Sequence, residues 1–190
     1  MRIRNRFALG AALTAVAVGG VAVASGAADA QSKSSARPAE QGWHENGPAL
    51  VAANKRVVEA FMRDVLDEHH GAHAARYLSP GMAWHGGTVG TVAGSANVTG
   101  LMTTVVTSIP DLHASVQDIF GQGNEVVVRL VVTGTQKGDL LGIPASGRAV
   151  RWDAIDLYHL DHGKITEEWA GEDFTAFLND TGTYKAPWIS

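Results

Sequence analysis

The sequence contains no cysteine, and this absence limits how the protein can be stabilised. Without cysteine, no disulfide can hold the fold together and no lipid can be attached through a thiol. Stability must come from an ordinary hydrophobic core, which a 190-residue chain with 45% hydrophobic residues can supply. We therefore expect one folded domain.

Charged residues are also few, at 18% of the chain, and their balance is acidic. Residues 1–30 hold three of the 15 basic and one of the 19 acidic residues, so the rest of the chain carries a net charge of −6. An acidic surface repels phosphate backbones, and no basic stripe is present. We expect no nucleic-acid partner.

Several motifs for metal, phosphate or covalent chemistry are missing. The glycine-rich stretch 86–94 lacks the lysine and spacing of a phosphate-binding loop. No serine nucleophile elbow is present. His69, His70 and His73 suggest a metal site, but Gly71 interrupts their helix and no carboxylate spacing supports an interior site. The sequence predicts a solvated turn there, with no bound metal.

The first 30 residues have the three-part pattern of a secretory signal peptide. An apolar run from residue 7 to about residue 28 follows three arginines: Arg2, Arg4 and Arg6. Ala28-Asp29-Ala30 offers a cleavage site before Gln31. An uncleaved membrane anchor is the alternative, because the run approaches the length of a span. We predict cleavage near Ala30, a secreted or extracytoplasmic protein without stable membrane insertion, a flexible linker over 31–45 and a domain over 46–190.

Patterns typical of helices come first in this domain. Asn46-Gly47-Pro48 opens a helix whose apolar residues recur at helical spacing as far as Val65. A short second helix is predicted over Ala72 to Leu78. A third helix, capped by Ser95, ends at Pro110.

Patterns typical of strands follow. A brief strand is predicted over 82–85, and four longer ones over 112–120, 125–136, 148–160 and 164–173. The short glycine-containing turns between them indicate antiparallel hairpins. Helices followed by strands predict an α+β fold. A curled sheet with three N-terminal helices packed against one end forms a cone, and its open end is a natural pocket.

The motifs along the chain resemble those of the SnoaL-like polyketide cyclases, also called ester cyclases, in the nuclear-transport-factor-2-like superfamily. The likeness spans roughly residues 50 to 175. It rests mainly on four stretches: Ile109-Pro110-Asp111-Leu112, Thr133-Gly134-Thr135-Gln136, Ile155-Asp156-Leu157-Tyr158, and Asp161-x-Gly163-Lys164-Ile165-x-Glu167-x-Trp169-x-x-x-Asp173. The sequence departs from the pattern at Glu168, where many relatives have histidine.

This resemblance implies a cone with a curved antiparallel or mixed sheet and a pocket that works without metal or organic cofactor. It also implies that Asp173 is the acid/base of an intramolecular aldol ring closure. Alternate residues of a strand share a face, so Asp173 is expected to face the pocket if Trp169 does. The alternative is that Asp173 caps a short helix over 174–178.

Other residues are candidates for the same pocket, each with a structural alternative. His85 and His159 are predicted to assist catalysis by polarising an oxygen or relaying a proton, or else to face solvent. Arg129 either binds a substrate carbonyl or carboxyl group, or pairs with Asp153 or Asp156. Aromatic side chains are predicted to line the pocket or to be ordinary core: Trp84, Trp152, Tyr158 and Trp169.

We therefore expect a cofactor-independent cyclase, or a related lyase or isomerase, acting on a small hydrophobic carbonyl compound. An exported binding module without activity is the first alternative, because cyclases of this kind normally act inside the cell. A hydratase or epoxide hydrolase that uses Asp153, Asp173 and Arg129 is the second. We also expect a homodimer, because a broad sheet face in such cones often pairs.

Overall fold

The computed structural model describes residues 47–189. The predicted leader and linker lie outside the described residues. Within 47–189, no helix is both long enough and apolar enough to cross a membrane.

Two α-helices precede the long strands. Helix α1 spans Pro48–Phe61, and a π-helical turn over Met62–Asp67 extends it. Val58, Phe61 and Val65 are fully buried, which agrees with the predicted apolar stripe.

The second predicted helix is wrong in type, because Gly71–Arg76 forms a short 3₁₀ helix. Gly71 packs directly against the following helix, where an added Cβ would lie 2.5 Å from the Cα of Thr103. Helix α2 spans Ser95–Ser108 and its N-cap is Gly94, so Ser95 does not cap it. Helix α3, Phe174–Thr181, follows the sheet.

Six strands form one mixed sheet. Their bounds are β1 Leu78–His85, β2 Thr91–Ala93, β3 His113–Gln122, β4 Glu125–Thr135, β5 Ala149–Asp161 and β6 Lys164–Glu172. The order across the sheet is β2-β1-β6-β5-β4-β3, with β1 and β6 parallel and all other pairs antiparallel. Strand β1 begins four residues before its predicted start, and β2 lies in the stretch taken as a plain connection. The predicted α+β class is confirmed.

The sheet has an inner face that packs on the helices and an outer face that does not. Strand β5 shows this clearly, because its even-numbered residues from Val150 to Leu160 are all buried. The odd-numbered residues from Arg151 to His159 are exposed or half-buried. Inner and outer residues therefore alternate along β5 as the strand period requires.

Strand β6 breaks this alternation by a bulge. Leu160 of β5 pairs with Ile165, whereas His159 pairs with Glu167, so Thr166 is an extra residue. Ile165 is buried on the inner face, and the next inner residue is Glu168 rather than Glu167. Beyond the bulge, Glu167, Trp169 and Gly171 therefore lie on the outer face, opposite to Ile165.

Candidate active site

An apolar cavity lies between the helices and the inner face of the sheet. Its volume is about 80 Å³. Helical and loop residues supply an apolar wall: Phe61, Leu66, Leu101, Met102, Val105, Leu112, Leu140, Leu141 and Phe174. The sheet supplies the remaining lining: Trp84, Leu130, Val132, Trp152, Asp156, Tyr158, Glu168 and Glu172. The cavity is therefore hydrophobic on the helical side and acidic on the sheet side.

Three carboxylates meet on that side because of the strand register. Glu168 lies opposite Tyr158, Glu172 opposite Ala154, and Asp156 opposite Ala170, between the two glutamates. Diagonal neighbours on one face of a sheet are about 7–8 Å apart, within reach of long side chains. The bulge in β6 is what turns both glutamates inward towards Asp156.

Burial raises the pKa of both glutamates toward neutrality. The pKa of Glu168 rises from 4.5 to about 8, chiefly because burial disfavours its charge and secondly because Glu172 is nearby. Polar contacts with Tyr158 and Trp84 offset part of this rise. Burial also raises the pKa of Glu172, to about 7, and a hydrogen bond from Trp152 Nε1 to Glu172 Oε2 opposes the rise. The two groups therefore change charge near pH 7 to 8.

Asp156 is also buried, and its ionisation is disfavoured. Burial raises its pKa well above the usual range, and the charges of Glu172 and Glu168 raise it further. The backbone N–H of Gly171 donates to Asp156 Oδ1 at 3.1 Å, and the Tyr158 hydroxyl lies 3.5 Å from Oδ2. These two contacts oppose the rise.

No positive side chain balances this acidic wall. Within the described residues, no lysine, arginine or histidine lines the cavity. The Oε2 atom of Glu168 is buried and has no hydrogen-bond partner in that part of the chain. An unpaired buried oxygen is costly, so a protonated Glu168 or a hydrogen-bonding ligand is favoured there.

Two of the predicted substrate-binding residues line this cavity. Trp84 is 5% exposed and Tyr158 is 1% exposed, and both point to the inner face. Trp152, named as an aromatic candidate, lies with them and donates to Glu172.

Asp173 is placed differently from its prediction. It is exposed, it is absent from the cavity lining, and its Oδ1 accepts the backbone N–H of Ala176 at 3.2 Å. It is the N-cap of α3, which is the structural alternative left open by the sequence. The premise that Asp173 shares a face with the pocket fails because of the bulge at Thr166.

His85, Trp169 and His159 lie on the outer face of the sheet. The His85 ring stacks on Trp169, with ring centroids 5.3 Å apart, and its Nδ1 lies 3.0 Å from Thr91 Oγ1. Trp169 is 42% exposed. The carbonyl of His159 accepts a hydrogen bond from the Thr166 hydroxyl at 3.1 Å. None of the three lines the cavity with the carboxylates.

Arg129 also lies on the outer face, where it forms an ion pair. Its partner is Asp118, at 2.6 Å between Nη2 and Oδ2. Asp153, one of the partners considered from the sequence, pairs with Arg151 at 3.2 Å. The structure supports the predicted ion-pair role for Arg129, with a different aspartate.

The histidines predicted to lie in a solvated turn are not equivalent. His69 Nε2 lies 2.8 Å from the carbonyl oxygen of Leu112. His70 and His73 instead both contact the carboxylate of Asp64. Asp64 could not be predicted as their partner, because the apolar spacing does not indicate the π-helical turn at that point.

The three cavity carboxylates were not selected as site residues from the sequence. The sequence could have indicated Asp156 as an inward-facing acid, because it alternates with Ala154 and Tyr158 on a strand whose even positions are otherwise uncharged. Glu168 was noted only as a departure from the family pattern, and the strand pattern did not indicate the inward direction of Glu168 or Glu172, because that direction depends on the bulge.

Comparisons with known proteins support the cyclase resemblance. A family model described as SnoaL-like polyketide cyclase matches residues 56–181. A search of curated proteins finds no match.

Solved structures share the fold. A candidate SnoaL-like polyketide cyclase from Jannaschia sp. CCS1 is 23% identical, with a TM-score of 0.64, and the match covers 74% of this chain and 99% of that one. AclR from Streptomyces galilaeus, named as a candidate hydroxylase, is 22% identical with a TM-score of 0.63, covering 71% and 99%. An epoxide hydrolase from M. tuberculosis is 14% identical with a TM-score of 0.57, covering 70% and 92%.

Proposed function

Because this chain belongs to the SnoaL-like polyketide cyclase family, we propose that its cavity catalyses a cofactor-independent, intramolecular aldol-type ring closure. The observation that carries the proposal is the cluster of buried carboxylates with raised pKa values on one apolar cavity. A desolvated carboxylate with a pKa near the working pH is suited to remove a proton from carbon.

In this proposal Glu172 is the base and Glu168 is the acid. Glu172 has the lower pKa, and the indole N–H of Trp152 stabilises its charged form. Glu168 is protonated at neutral pH because its pKa is about 8. The two environments separate the roles of two otherwise identical side chains.

The reaction conserves all atoms of the substrate. Glu172 takes a proton from the carbon next to a carbonyl group, and the protonated Glu168 donates a hydrogen bond to the enolate oxygen that forms. The enolate carbon then attacks a second carbonyl carbon of the same molecule, forming the new carbon–carbon bond. The resulting alkoxide recovers the proton from Glu172, so the net change is an isomerisation.

The cavity favours a small, uncharged substrate. Its volume is modest, and its acidic wall has no cation among the described lining residues that would bind an anionic group. We therefore propose a compact hydrophobic compound with two carbonyl groups rather than a substrate with a free carboxylate or phosphate.

Proton abstraction can be tested without knowing the natural substrate. Small β-diketones and β-keto esters are incubated with the protein in D₂O, and exchange of the α-protons is followed by NMR. Exchange faster than in buffer, with a bell-shaped pH dependence between the pKa values of Glu172 and Glu168, is the expected result. Exchange no faster than in buffer for every compound that binds would contradict the enzymatic proposal.

Exchange no faster than in buffer, for compounds that do bind, would instead support a binding module. The export predicted from the leader favours such a module, because carrier-bound cyclase substrates are inside the cell. Binding of the same compounds without exchange is its signature.

The residues considered for an epoxide hydrolase or hydratase lie outside the cavity. Arg129 and Asp153 line a shallow groove on the outer face, and the backbone N–H of Asp173 donates to the Asp153 carbonyl at 3.0 Å. Arg129 and Asp153 form ion pairs with other partners, and Asp173 caps α3. None of the three lines the cavity. The inner carboxylates therefore support the aldol proposal better than this alternative.

We also propose a homodimer that forms through the outer face of the sheet. One row crosses this face through the paired residues Phe120, Val127, Leu157, Trp169 and His85. Phe120 is 58% exposed, and Ile155 beside the row is also 58% exposed. Large apolar side chains exposed together are typical of an interface.

Export stays a proposal that rests on the leader sequence alone. N-terminal sequencing of the protein recovered from the producing cells would test it. Cleavage near Ala30 is the expected result, and an intact Met1 on a cytoplasmic protein would contradict it.

A further inference from the structure

A second cluster of ionisable side chains lies outside the cavity lining, at the end of the π-helical turn. Asp64 comes from that turn, and His70 and His73 come from the 3₁₀ helix and the residue before it. One carboxylate oxygen and two ring nitrogens of these residues lie within 4.8 Å of one another. The proposed ring closure makes no use of them.

The two histidines converge on a single atom. His70 Nδ1 lies 2.9 Å from Asp64 Oδ1, and His73 Nδ1 lies 2.8 Å from the same oxygen. The two rings face each other with centroids 4.6 Å apart. Residues i and i+3 eclipse on a 3₁₀ helix, which explains why both rings point the same way.

The surrounding structure holds this cluster in place. The Tyr77 hydroxyl donates to the other carboxylate oxygen of Asp64 at 2.8 Å. The backbone N–H of His70 donates to the Asp64 carbonyl at 3.2 Å, and Gly71 is packed against the backbone of α2.

Arg76 lies beside the cluster as well. Its Nη1 is 3.0 Å from Nδ1 of His73, which also lies 2.8 Å from Asp64 Oδ1. One hydrogen position on this nitrogen cannot suit both neighbours, because Nη1 is purely a donor and the carboxylate oxygen is an acceptor. The Arg76 side chain is exposed and can turn aside, which leaves the oxygen and both nitrogens free to hold a cation.

We propose that Asp64, His70 and His73 bind one divalent transition-metal ion of the Zn²⁺ type. Imidazole nitrogens with one carboxylate oxygen are a usual ligand set for such ions, and water completes the coordination. Metal–ligand bonds of about 2.0–2.2 Å place ligand atoms about 3.3 Å apart in a tetrahedral site, so the cluster has to open by about half an ångström. The bound ion joins the π-helical turn to the 3₁₀ helix.

Calorimetric titration of the untagged full chain with ZnCl₂ tests this proposal. We expect one ion per chain and a higher melting temperature in its presence. His70→Ala removes an exposed ligand without disturbing the core, and it should weaken binding by about tenfold or more. His113→Ala is the matched control, because His113 Nδ1 also contacts a single carboxylate oxygen, 3.0 Å away on Asp67, but has no second histidine.

Arg76→Ala separates a metal site from a merely structural cluster. Arg76 lies 3.8 Å from Asp64 Oδ2 and places a positive charge beside the proposed ion. Removal of this charge should tighten Zn²⁺ binding several-fold. If the cluster is only structural, Arg76→Ala should not tighten Zn²⁺ binding. Absence of one-to-one binding, or equal binding by the His70 and His113 variants, would overturn the proposal.

Discussion

The two faces of the sheet carry acidic and aromatic residues from the same strands but place them in opposite environments. On the inner face, Glu168 and Glu172 are enclosed by apolar side chains, and their pKa values rise toward neutrality. On the outer face, Glu167 is half-exposed and Trp169 stacks on His85. The adjacent residues Glu167 and Glu168 therefore lie in opposite environments, one half-exposed and the other buried with a raised pKa.

The difference teaches that one inserted residue decides which side chains can act. Without the bulge at Thr166, strict alternation would turn Glu167 and Trp169 inward and leave Glu168 in solvent. With it, β6 presents Glu168, Ala170 and Glu172 to the cavity.

The inner carboxylates should make stability depend on pH, and the two glutamates set the pH range. Their pKa values rise from 4.5 in the unfolded chain to about 8 for Glu168 and about 7 for Glu172 in the folded state. Between these values the folded state holds protons that the unfolded chain has released. The free energy of unfolding should therefore fall as the pH rises from about 4.5 to about 8.

Because one pKa unit corresponds to about 1.4 kcal/mol, the total loss should reach several kcal/mol. Urea unfolding at a series of pH values measures it. Glu168→Gln should flatten the dependence, whereas the neighbouring control Glu167→Gln on the outer face should not. Equal slopes for the two variants would show that the inward direction of Glu168 is wrong.

Removing the indole donor should shift the titration of the proposed base. Trp152→Phe deletes the hydrogen bond to Glu172 that stabilises its charged form, so the pKa of Glu172 should rise. A hydrogen bond to a charged group is worth about 1.5–3 kcal/mol, which corresponds to about one to two pH units. The rising limb of the plot of exchange rate against pH should therefore shift to higher pH by the same amount. Trp188→Phe, at a position that is 76% exposed, should leave that limb in place.

Charges on the outer face should affect assembly but not the cavity. Ile155→Lys is expected to favour monomers in sedimentation equilibrium while changing the unfolding free energy of the subunit by only about 0.5 kcal/mol. Tyr184→Lys, at another exposed position away from the sheet, is the control. A monomeric wild-type protein would contradict the proposed homodimer.

Much of the fold was predictable because it follows from regular periodicity. The stripe containing Val58 and Phe61 correctly indicated α1, and the strand pattern predicted over 148–160 correctly indicated β5. Both elements repeat one pattern over several turns or residue pairs. Trp84 and Tyr158, candidates for either the pocket or the core, line the cavity.

The parts that could not be predicted are local departures from that periodicity. The extra residue at Thr166 reversed the expected direction of Glu168 and left Asp173 beyond the strand, where it caps a helix. The π-helical turn likewise brought Asp64 to two histidines across an interruption at Gly71. Each depends on packing with distant segments, which the local sequence pattern does not contain.

The α-proton exchange rates of Glu172→Gln and Asp173→Asn, compared with the wild-type rate at pH 7.5, test the central claim most directly. Glutamine keeps the shape of Glu172 but cannot accept the proton, so exchange should fall by about 10²–10⁴-fold. Asparagine caps helices as well as aspartate, so the neighbouring variant should keep both its fold and its exchange rate. Full activity in Glu172→Gln with loss in Asp173→Asn would contradict the account and return the catalytic role to Asp173.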